Sequence, residues 1–390
     1  MTKIYSIMPW LYNEVGHFYA YNLAVRKAAH INGWEHFALV PKSCILDLPE
    51  GWEKVLSSDS VLEKRSIFAK LLRPIGSLVP LIRFLRKLRK EKAQTVLFME
   101  HFGLPQLAIL CCATLFSKAN YQVWLLHRFE PTFFKKGLYN LFHRFLNVRL
   151  GRENFKILTD SGLLAALQEK AYNKRVFVVP IPHPVMEETV PFAKKEVLCW
   201  WPGGSTRMDK GLKSVQKLAG EIMEKIIMRF QFSTDEPICI GQHLVSETET
   251  DDVQLLMANN AKSKMPPAPI RFLETNLPRK DFERWMKTVD IVLLPYLAES
   301  YQLRTSGIFV EAIVAGAIPV TMDDTWMAHE LKRFQLDSLI LDWEQKIYPQ
   351  LQEILKDSEI RTNIEKMRSH YEKYHSIENF AETFKTIMHS

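Results

Sequence analysis

Residues Tyr296–Thr321 have the sequence YLAESYQLRTSGIFVEAIVAGAIPVT and follow the apolar run IVLL at Ile291–Leu294. The run IVLL predicts a buried strand, FVEAIVAGA has apolar residues at helical spacing, and IPVT predicts a second strand. The loop before the helix carries a set of polar or small residues: Ser300, Tyr301, Arg304, Thr305, Ser306 and Gly307. The stretch therefore predicts a strand, loop, helix and strand of an α/β protein.

The start of the predicted helix has chemistry that suits a phosphate group. Free N–H groups and the partial positive charge of the helix dipole favour an anion there. Glu311 lies one turn into the helix, where its carboxylate can accept hydrogen bonds from a neutral polyol such as ribose. An ordinary βαβ unit explains the periodicity of this stretch, but it does not explain the residues of the loop.

The composition predicts a globular protein with two domains. The chain has 390 residues, of which 47% are hydrophobic and 24% are charged, and this length exceeds one ordinary core. The five cysteines form no metal-ligand spacing, and they suit a reducing compartment. The first residues lack the apolar core of a signal peptide, so we expect a cytoplasmic location.

The positive charge is concentrated in the first half of the chain. Residues 1–185 carry 26 Lys and Arg against 13 Asp and Glu, whereas residues 186–390 carry 25 against 31. In residues 62–92, apolar and basic residues alternate at helical spacing, which predicts either a helix on an anionic membrane surface or a solvated amphipathic helix. Residues 133–152 form a second basic, aromatic stretch. No nucleic-acid-binding motif accompanies the charge, so no nucleic-acid partner is predicted.

The order of strands and helices predicts two doubly wound α/β domains that face each other across a cleft. The first domain spans residues 1–183 and the second residues 184–365, with a proline-rich linker around 178–184. A final helix over residues 366–390 is predicted to return to the first domain. In such sheets, ligands bind at the carboxyl ends of the strands.

A second phosphate-type signal is PGGSTRMDKG at residues 202–211. Gly203 and Gly204 permit a tight turn after a strand, and Arg207 and Lys210 come just before a helix. Glycine turn, cations and helix start together favour a diphosphate. The signal gains weight beside the Tyr296–Thr321 loop, because both follow strands of one predicted sheet.

These motifs stand in the order found in a known family. VVPIPHP (178–184), GGSTRMDKG (203–211), VDIVLLPY (289–296) and SGIFVEAIVAGAIPV (306–320) resemble the retaining GT-B glycosyltransferases of family four, glycosyl transferases group 1. The resemblance covers most of the chain. It implies two Rossmann-like domains, with a sugar nucleotide on the C-terminal domain and an acceptor entering from the N-terminal domain.

The resemblance also implies roles for particular residues. Lys210, helped by Arg207, would neutralise the donor diphosphate, and Glu311 would hold the ribose hydroxyls. The implied donor-binding residues are Gly16, Gly204, Tyr301, Arg304, Thr305, Ser306, Gly307, Ile308 and Glu311. His127, at the end of the predicted strand QVWLLH, would lie near the reacting sugar, although a histidine in this place is also compatible with a structural role. Three weaker candidates are His101, Glu14 and His17, of which the last two are also compatible with a role as helix caps.

One departure from the family pattern concerns the donor sugar. The family carries a Glu-x7-Glu pair whose first carboxylate contacts the sugar, and eight positions before Glu311 this chain has Leu303. Tyr301 and Arg304 flank that position, and Glu299 lies four residues upstream of it.

The resemblance implies no metal and no cofactor beyond the substrate, a UDP- or GDP-linked sugar. Asp323 and Asp324 could form a metal-binding pair, but we expect them to cap the helix near Trp326. The implied function is transfer of a sugar to a glycan or polyprenyl-linked acceptor in bacterial polysaccharide or lipopolysaccharide synthesis, by a cytoplasmic enzyme at the inner membrane face. A sugar-nucleotide 2-epimerase and a non-catalytic sugar-nucleotide-binding protein remain as alternatives.

Overall fold

The computed structural model describes residues 1–14, 17–57, 73–117, 121–128, 133–182, 191, 197–202, 208–225, 230–234, 253–259, 270–273 and 277–390. The chain divides into two compact units. Unit 1 contains Met1–Pro184 and Ile377–Ser390, and unit 2 contains Val185–Ser376.

Within the described residues of unit 1, seven parallel strands form one sheet. The strands are β1 (Thr2–Ile7), β2 (Glu35–Pro41), β3 (Trp52–Leu56), β4 (Gln94–Met99), β5 (Tyr121–Leu126), β6 (Phe155–Thr159) and β7 (Val176–Val178). Their order is β3-β2-β1-β4-β5-β6-β7. The connecting helices are α1 (Phe18–Ile31), α2 (Leu78–Leu88), α3 (Leu104–Leu115), α4 (Phe133–Leu150) and α5 (Gly162–Tyr172).

Alternate residues of these strands pack on opposite faces of the sheet, because successive side chains of a strand point to opposite sides. Leu97 and Met99 of β4 join a core with residues of α2, α3 and α4. Val96 and Phe98 of the same strand join a second core with residues of α1. Both faces of the sheet are therefore covered, and this explains why the strand sequences are continuous apolar runs.

Within the described residues of unit 2, six strands form a second parallel sheet. The strands are β8 (Val197–Trp201), β9 (Phe230–Thr234), β10 (Val253–Asn259), β11 (Ile270–Leu273), β12 (Ile291–Leu294) and β13 (Ile318–Thr321). Their order is β10-β11-β9-β8-β12-β13. The helices are α6 (Leu212–Lys225), α7 (Arg279–Thr288), α8 (Ala298–Tyr301), α9 (Gly307–Ala315), α10 (Trp326–Arg333), α11 (Ile347–Lys356) and α12 (Ser358–Tyr374).

The last helix, α13 (Ile377–Met388), belongs to unit 1. Phe380 and Phe384 pack into the same core as Val25 and Ala28 of α1. The Asn32 side-chain amide donates a hydrogen bond to the Ala381 carbonyl at 2.7 Å. Residues 366–390 are thus not one helix, since α12 ends at Tyr374 and only the segment from Ile377 onward joins unit 1.

The predicted α/β class with two doubly wound parallel sheets is confirmed. The expected strand EPICIGQ (236–242) and the proline-rich linker from His183 onward lie outside the described residues.

The amphipathic pattern of residues 62–92 has a structural explanation where it is described. Leu81, Leu85 and Leu88 of α2 are buried in the core of unit 1. The exposed cations of this helix and its end are Arg83, Arg86, Lys87 and Arg89.

Candidate functional site

The sheet of unit 2 reverses its strand order between β8 and β12. From β8 the sheet continues on one side to β9, and from β12 it continues on the other side to β13. In open α/β sheets, ligands bind outside the carboxyl ends of the strands at such a switch point. The loops that follow β8 and β12 carry the two phosphate-type signals of the sequence.

These two loops are bonded to each other. Leu297 N donates to the Asp209 carbonyl at 2.9 Å, and Trp201 Nε1 donates to the Lys210 carbonyl at 3.2 Å. Gly211 has φ of +80°, and a Cβ atom there would lie 1.9 Å from the Pro295 carbonyl oxygen. A glycine is therefore required for the loops to approach this closely.

Two cations and two tyrosines form a continuous group on these loops. Lys210 Nζ lies 5.9 Å from the centroid of the Tyr296 ring, and the Tyr296 and Tyr301 centroids are 4.5 Å apart. Arg304 Cζ lies 5.1 Å from the Tyr301 centroid. Both tyrosines are buried, whereas both cations are partly exposed. The rings therefore hold the two positive charges near the carboxyl end of the sheet.

The N-terminus of α9 adds backbone donors. Ser306 is the N-cap, and its Oγ accepts a hydrogen bond from Phe309 N at 3.3 Å. The N–H groups of Gly307 and Ile308 lie in the first turn of α9, where they have no acceptor within the helix. Gly307 is exposed, and a Cβ atom added to it meets no atom within 4 Å. The helix start is thus open to an anionic group.

Glu311 is held by an arginine that the sequence reasoning missed. Arg279 Nη1 lies 2.9 Å from Glu311 Oε1, and Arg279 Nε lies 2.7 Å from Glu283 Oε1. The Glu311 side chain is 16% exposed, so its carboxylate is only partly accessible. The i,i+4 spacing of Arg279 and Glu283 in a predicted helix was the available signal.

The structure brings Lys210, Tyr301 and Arg304 together, with Thr305–Ile308 at the adjoining helix start and Glu311 one turn further. Leu303 is half-buried and Glu299 is exposed. Three predicted site residues, Gly16, Gly204 and Arg207, lie outside the described residues.

His127, the predicted catalytic histidine, lies in unit 1 directly after β5. Its side chain is buried among aromatic rings, and its Nε2 lies 3.2 Å from His143 Nε2. The ring centroid of Phe102 is 4.8 Å away and that of Tyr139 is 5.4 Å away. Burial lowers the pKa of His127 to about 3, so the imidazole is neutral at physiological pH.

A buried ion network lies at the carboxyl ends of β4, β5 and β6. Arg128 Nη2 lies 3.1 Å from Glu100 Oε1, and Arg128 Nε lies 3.4 Å from Asp160 Oδ2. Asn22 Nδ2 donates to Glu100 Oε2 at 2.9 Å. The Arg128 guanidinium also lies over the Tyr21 ring, 4.5 Å from its centroid. The sequence reasoning did not select Glu100 or Asp160.

Three side chains of unit 1 have the types and spacing that could hold a metal ion. Among the residues that the structure describes, the ligand atoms of His17, Glu100 and His101 lie within 4.8 Å of one another.

The expected cap formed by Asp323 and Asp324 is wrong. The N-cap of α10 is Thr325, whose Oγ1 accepts a hydrogen bond from Ala328 N at 3.1 Å. Asp323 instead pairs with Lys332 at 2.8 Å, and both side chains are exposed.

Two doubly wound parallel sheets in separate units are the defining architecture of the GT-B fold, and comparison with solved structures assigns the chain to that fold. A structure of trehalose-6-phosphate from E. coli bound with UDP-2-fluoro glucose has a TM-score of 0.65 and 13% identity, with 99% of this chain and 98% of that chain covered. Anabaena HepE in complex with UDP-glucose has a TM-score of 0.60 and 10% identity, with both chains fully covered. The glycosyltransferase SnogD from Streptomyces nogalater has a TM-score of 0.50 and 16% identity, with 99% of each chain covered.

These likenesses confirm the predicted GT-B fold, whereas the assignment to family four stays a prediction. No protein-family model matches the sequence, and no curated protein matches it. Across the described part of the chain, no helix combines the length and the apolar composition needed to cross a bilayer.

Proposed function

We propose that this chain is a glycosyltransferase that takes a sugar from a nucleotide diphosphate donor. The observation that carries the proposal is the β8–β12 switch point, where Lys210, Arg304 and the start of α9 provide positive charge and backbone donors. A diphosphate is the donor group that best fits this set. The likeness to structures bound with UDP-sugars supports a nucleotide-sugar donor, and we propose that it is UDP- or GDP-linked.

In the proposed complex, Lys210 and the N–H groups of Gly307 and Ile308 bind the diphosphate, and Glu311 accepts hydrogen bonds from the ribose. The ion pair with Arg279 orients the Glu311 carboxylate for that contact. Arg207, Gly204 and Gly16 stay predicted donor-site residues, because they lie outside the residues that the structure describes. Tyr301, Arg304 and Thr305 line the donor site near the sugar, where Leu303 replaces the expected carboxylate.

The proposed reaction retains the configuration of the sugar and needs no metal at the diphosphate. The leaving phosphate helps to deprotonate the acceptor hydroxyl, so the protein supplies positioning and charge stabilisation rather than a nucleophile. His127 takes part as a neutral hydrogen-bonding group, because its lowered pKa excludes an imidazolium. The proposed acceptor is a glycan or polyprenyl-linked molecule of bacterial polysaccharide or lipopolysaccharide synthesis.

We further propose that unit 1 contacts an anionic membrane surface from the cytoplasmic side. Arg83, Arg86, Lys87 and Arg89 provide exposed positive charge. Ile75 and Val79 nearby are 50% and 53% exposed, and Leu115 and Phe116 at the end of the neighbouring α3 are 56% and 51% exposed. Exposed apolar and basic groups together favour an anionic bilayer over a neutral one.

The donor assignment is tested by a thermal-shift screen with UDP-, GDP-, ADP- and dTDP-sugars, followed by calorimetric titration of the best donor. Lys210→Ala and Glu311→Ala should each weaken binding by at least about tenfold, the loss of one charge-assisted contact. Lys213→Ala is the matched control, because Lys213 is an exposed lysine in the first turn of α6, three residues after Lys210. Equal donor affinity in Lys210→Ala and Lys213→Ala would reject the site.

Product analysis after incubation with the best donor, with and without an acceptor, separates the alternatives. An epimerase converts the sugar nucleotide without an acceptor, and a binding protein neither transfers nor hydrolyses it.

The membrane contact is tested by flotation with vesicles of anionic and of neutral lipid, with Arg83, Arg86, Lys87 and Arg89 neutralised together. The control neutralises four exposed cations of unit 2, namely Lys346, Lys356, Arg361 and Lys366. Unchanged flotation of the first variant would refute the contact.

A further inference from the structure

The sheet of unit 1 also has a switch point, between β1 and β4. Three side chains converge there: His17 at the start of α1, and Glu100 and His101 directly after β4. His17 Nε2 lies 2.7 Å from His101 Nε2, so one imidazole donates a hydrogen bond to the other. Glu100 Oε1 lies 3.8 Å from His17 Nε2 and 3.9 Å from His101 Nε2. Three potential ligand atoms, two imidazole nitrogens and one carboxylate oxygen, therefore lie close together.

Glu100 is placed to serve as the anionic member of this group. Its side chain is only 2% exposed, and its Oε1 accepts no hydrogen bond of good geometry from a described residue. Its other oxygen accepts from Asn22, and Asn22 also donates to the Phe18 carbonyl at 2.9 Å. The carboxylate orientation is thus fixed by a second residue, as it is for ligands in metal sites.

The charge balance around Glu100 favours an added cation. Arg128 contributes one positive charge, and Glu100 and Asp160 contribute two negative charges when both are ionised. A metal ion would supply the missing positive charge.

We propose that His17, Glu100 and His101 form a three-ligand site for a divalent transition-metal ion, with Zn²⁺ as the best match. Two imidazoles and one carboxylate are a donor set that zinc takes in proteins, whereas Mg²⁺ and Ca²⁺ prefer oxygen alone. Tetrahedral zinc places its ligand atoms about 3.3 Å apart. Seating the ion therefore separates the two Nε2 atoms by roughly 0.6 Å and draws Oε1 inward by a similar amount.

The site has a route of entry and an open coordination position. The His17 side chain is 50% exposed, whereas that of His101 is 11% exposed. A small cavity lined by Glu100 and His101 together with Met8, Trp10 and Phe18 adjoins the cluster. Three protein ligands leave the fourth position for water or for an oxygen of a bound molecule.

The experiment is a zinc titration of the full chain after treatment with a chelator, in competition with a chromophoric chelator. We expect one ion per chain, and Co²⁺ in place of Zn²⁺ should give the visible bands of a tetrahedral centre. His17→Ala and His101→Ala should each reduce the affinity at least tenfold. His30→Ala, which removes an exposed histidine at the far end of α1, should leave the affinity unchanged.

The result that overturns the proposal is absence of stoichiometric zinc binding, or equal affinities of the wild type and His17→Ala. Both His17 and His101 are outside the strands, so their variants test ligation without removing buried core. Donor binding measured on the same samples keeps this proposal separate from the proposed function, since the cluster is in unit 1 and the tested donor residues, Lys210 and Glu311, are in unit 2.

Discussion

The two switch points, β1/β4 in unit 1 and β8/β12 in unit 2, occupy equivalent positions in their sheets and carry different chemistry. In unit 1, the largely buried side chains of Glu100, Arg128 and Asp160 bring one cation between two carboxyl groups. In unit 2, Lys210 and Arg304 are partly exposed and rest on tyrosine rings. The same architecture therefore supports a costly, preorganised ion network in one unit and an accessible cationic surface in the other. The following variants test that difference.

The largest effect is expected from Arg128→Leu. This change leaves Glu100 and Asp160 buried without their cation, and breaking a buried ion pair in this way costs about 3–5 kcal/mol. Urea denaturation of the full chain, with and without the substitution, would measure the loss in the free energy of unfolding. Arg304→Leu is the counterpart in unit 2, and its partly exposed charge should change stability by less than about 1 kcal/mol. Similar losses for the two variants would contradict the distinction.

Gly211→Ala should have the next largest effect. The new Cβ would collide with the Pro295 carbonyl, and the residue would keep a positive φ, which alone costs about 1–2 kcal/mol. We expect a loss of at least about 2 kcal/mol together with weaker donor binding, because Lys210 and the β12 loop are displaced. Gly33→Ala, which has a φ of +67° and no atom near its Cβ, controls for the backbone strain alone. Equal losses in the two variants would show that the close approach is not needed.

A third test uses pH. The folded pKa of His127 is about 3 and the unfolded value is about 6.5, so only the unfolded state gains a proton between them. The buried neutral ring contributes stability above about pH 6.5, and this contribution falls by about 1.4 kcal/mol per pH unit below it. The free energy of unfolding of His127→Phe, measured with urea, should therefore fall less steeply between pH 6 and pH 4 than that of the wild type, by that amount per pH unit. Identical slopes would mean that His127 is not buried in the folded protein.

The smallest effect on stability is expected for Gly307→Ala. The added methyl meets no protein atom, so the free energy of unfolding should change by less than about 0.5 kcal/mol. The same methyl narrows the space at the start of α9, and donor affinity measured by calorimetry should fall about tenfold. A variant that binds the donor as the wild type does would place the diphosphate elsewhere.

Much of the fold and of the unit 2 site could be predicted because its signals are local in the sequence. The runs at Ile291–Leu294 and Gln94–Met99 are apolar throughout, since both faces of each strand are buried. Ser306, Gly307 and Glu311 are marked by a polar loop before a helical pattern. Strands β9 and β10 were missed, because FQFST has only five residues and VQLLMAN has no period-2 alternation.

The unit 1 network could not be predicted, because its members are far apart in the sequence. Glu100, Arg128 and Asp160 each follow a different strand, and their proximity depends on the strand order β4-β5-β6. A sequence shows a polar residue after each apolar run, but it does not show which runs are neighbours. Arg279 was missed for the same reason, since its pairing with Glu311 joins two separate helices.

The position of α13 affects how the protein is made. Its apolar residues complete the core over α1, yet they are synthesised after the whole of unit 2. On the ribosome, the part of this apolar face that α13 covers therefore stays exposed until the last residues are made, while unit 2 can already fold. We expect nascent unit 1 to be the part of this protein that depends most on chaperones during translation.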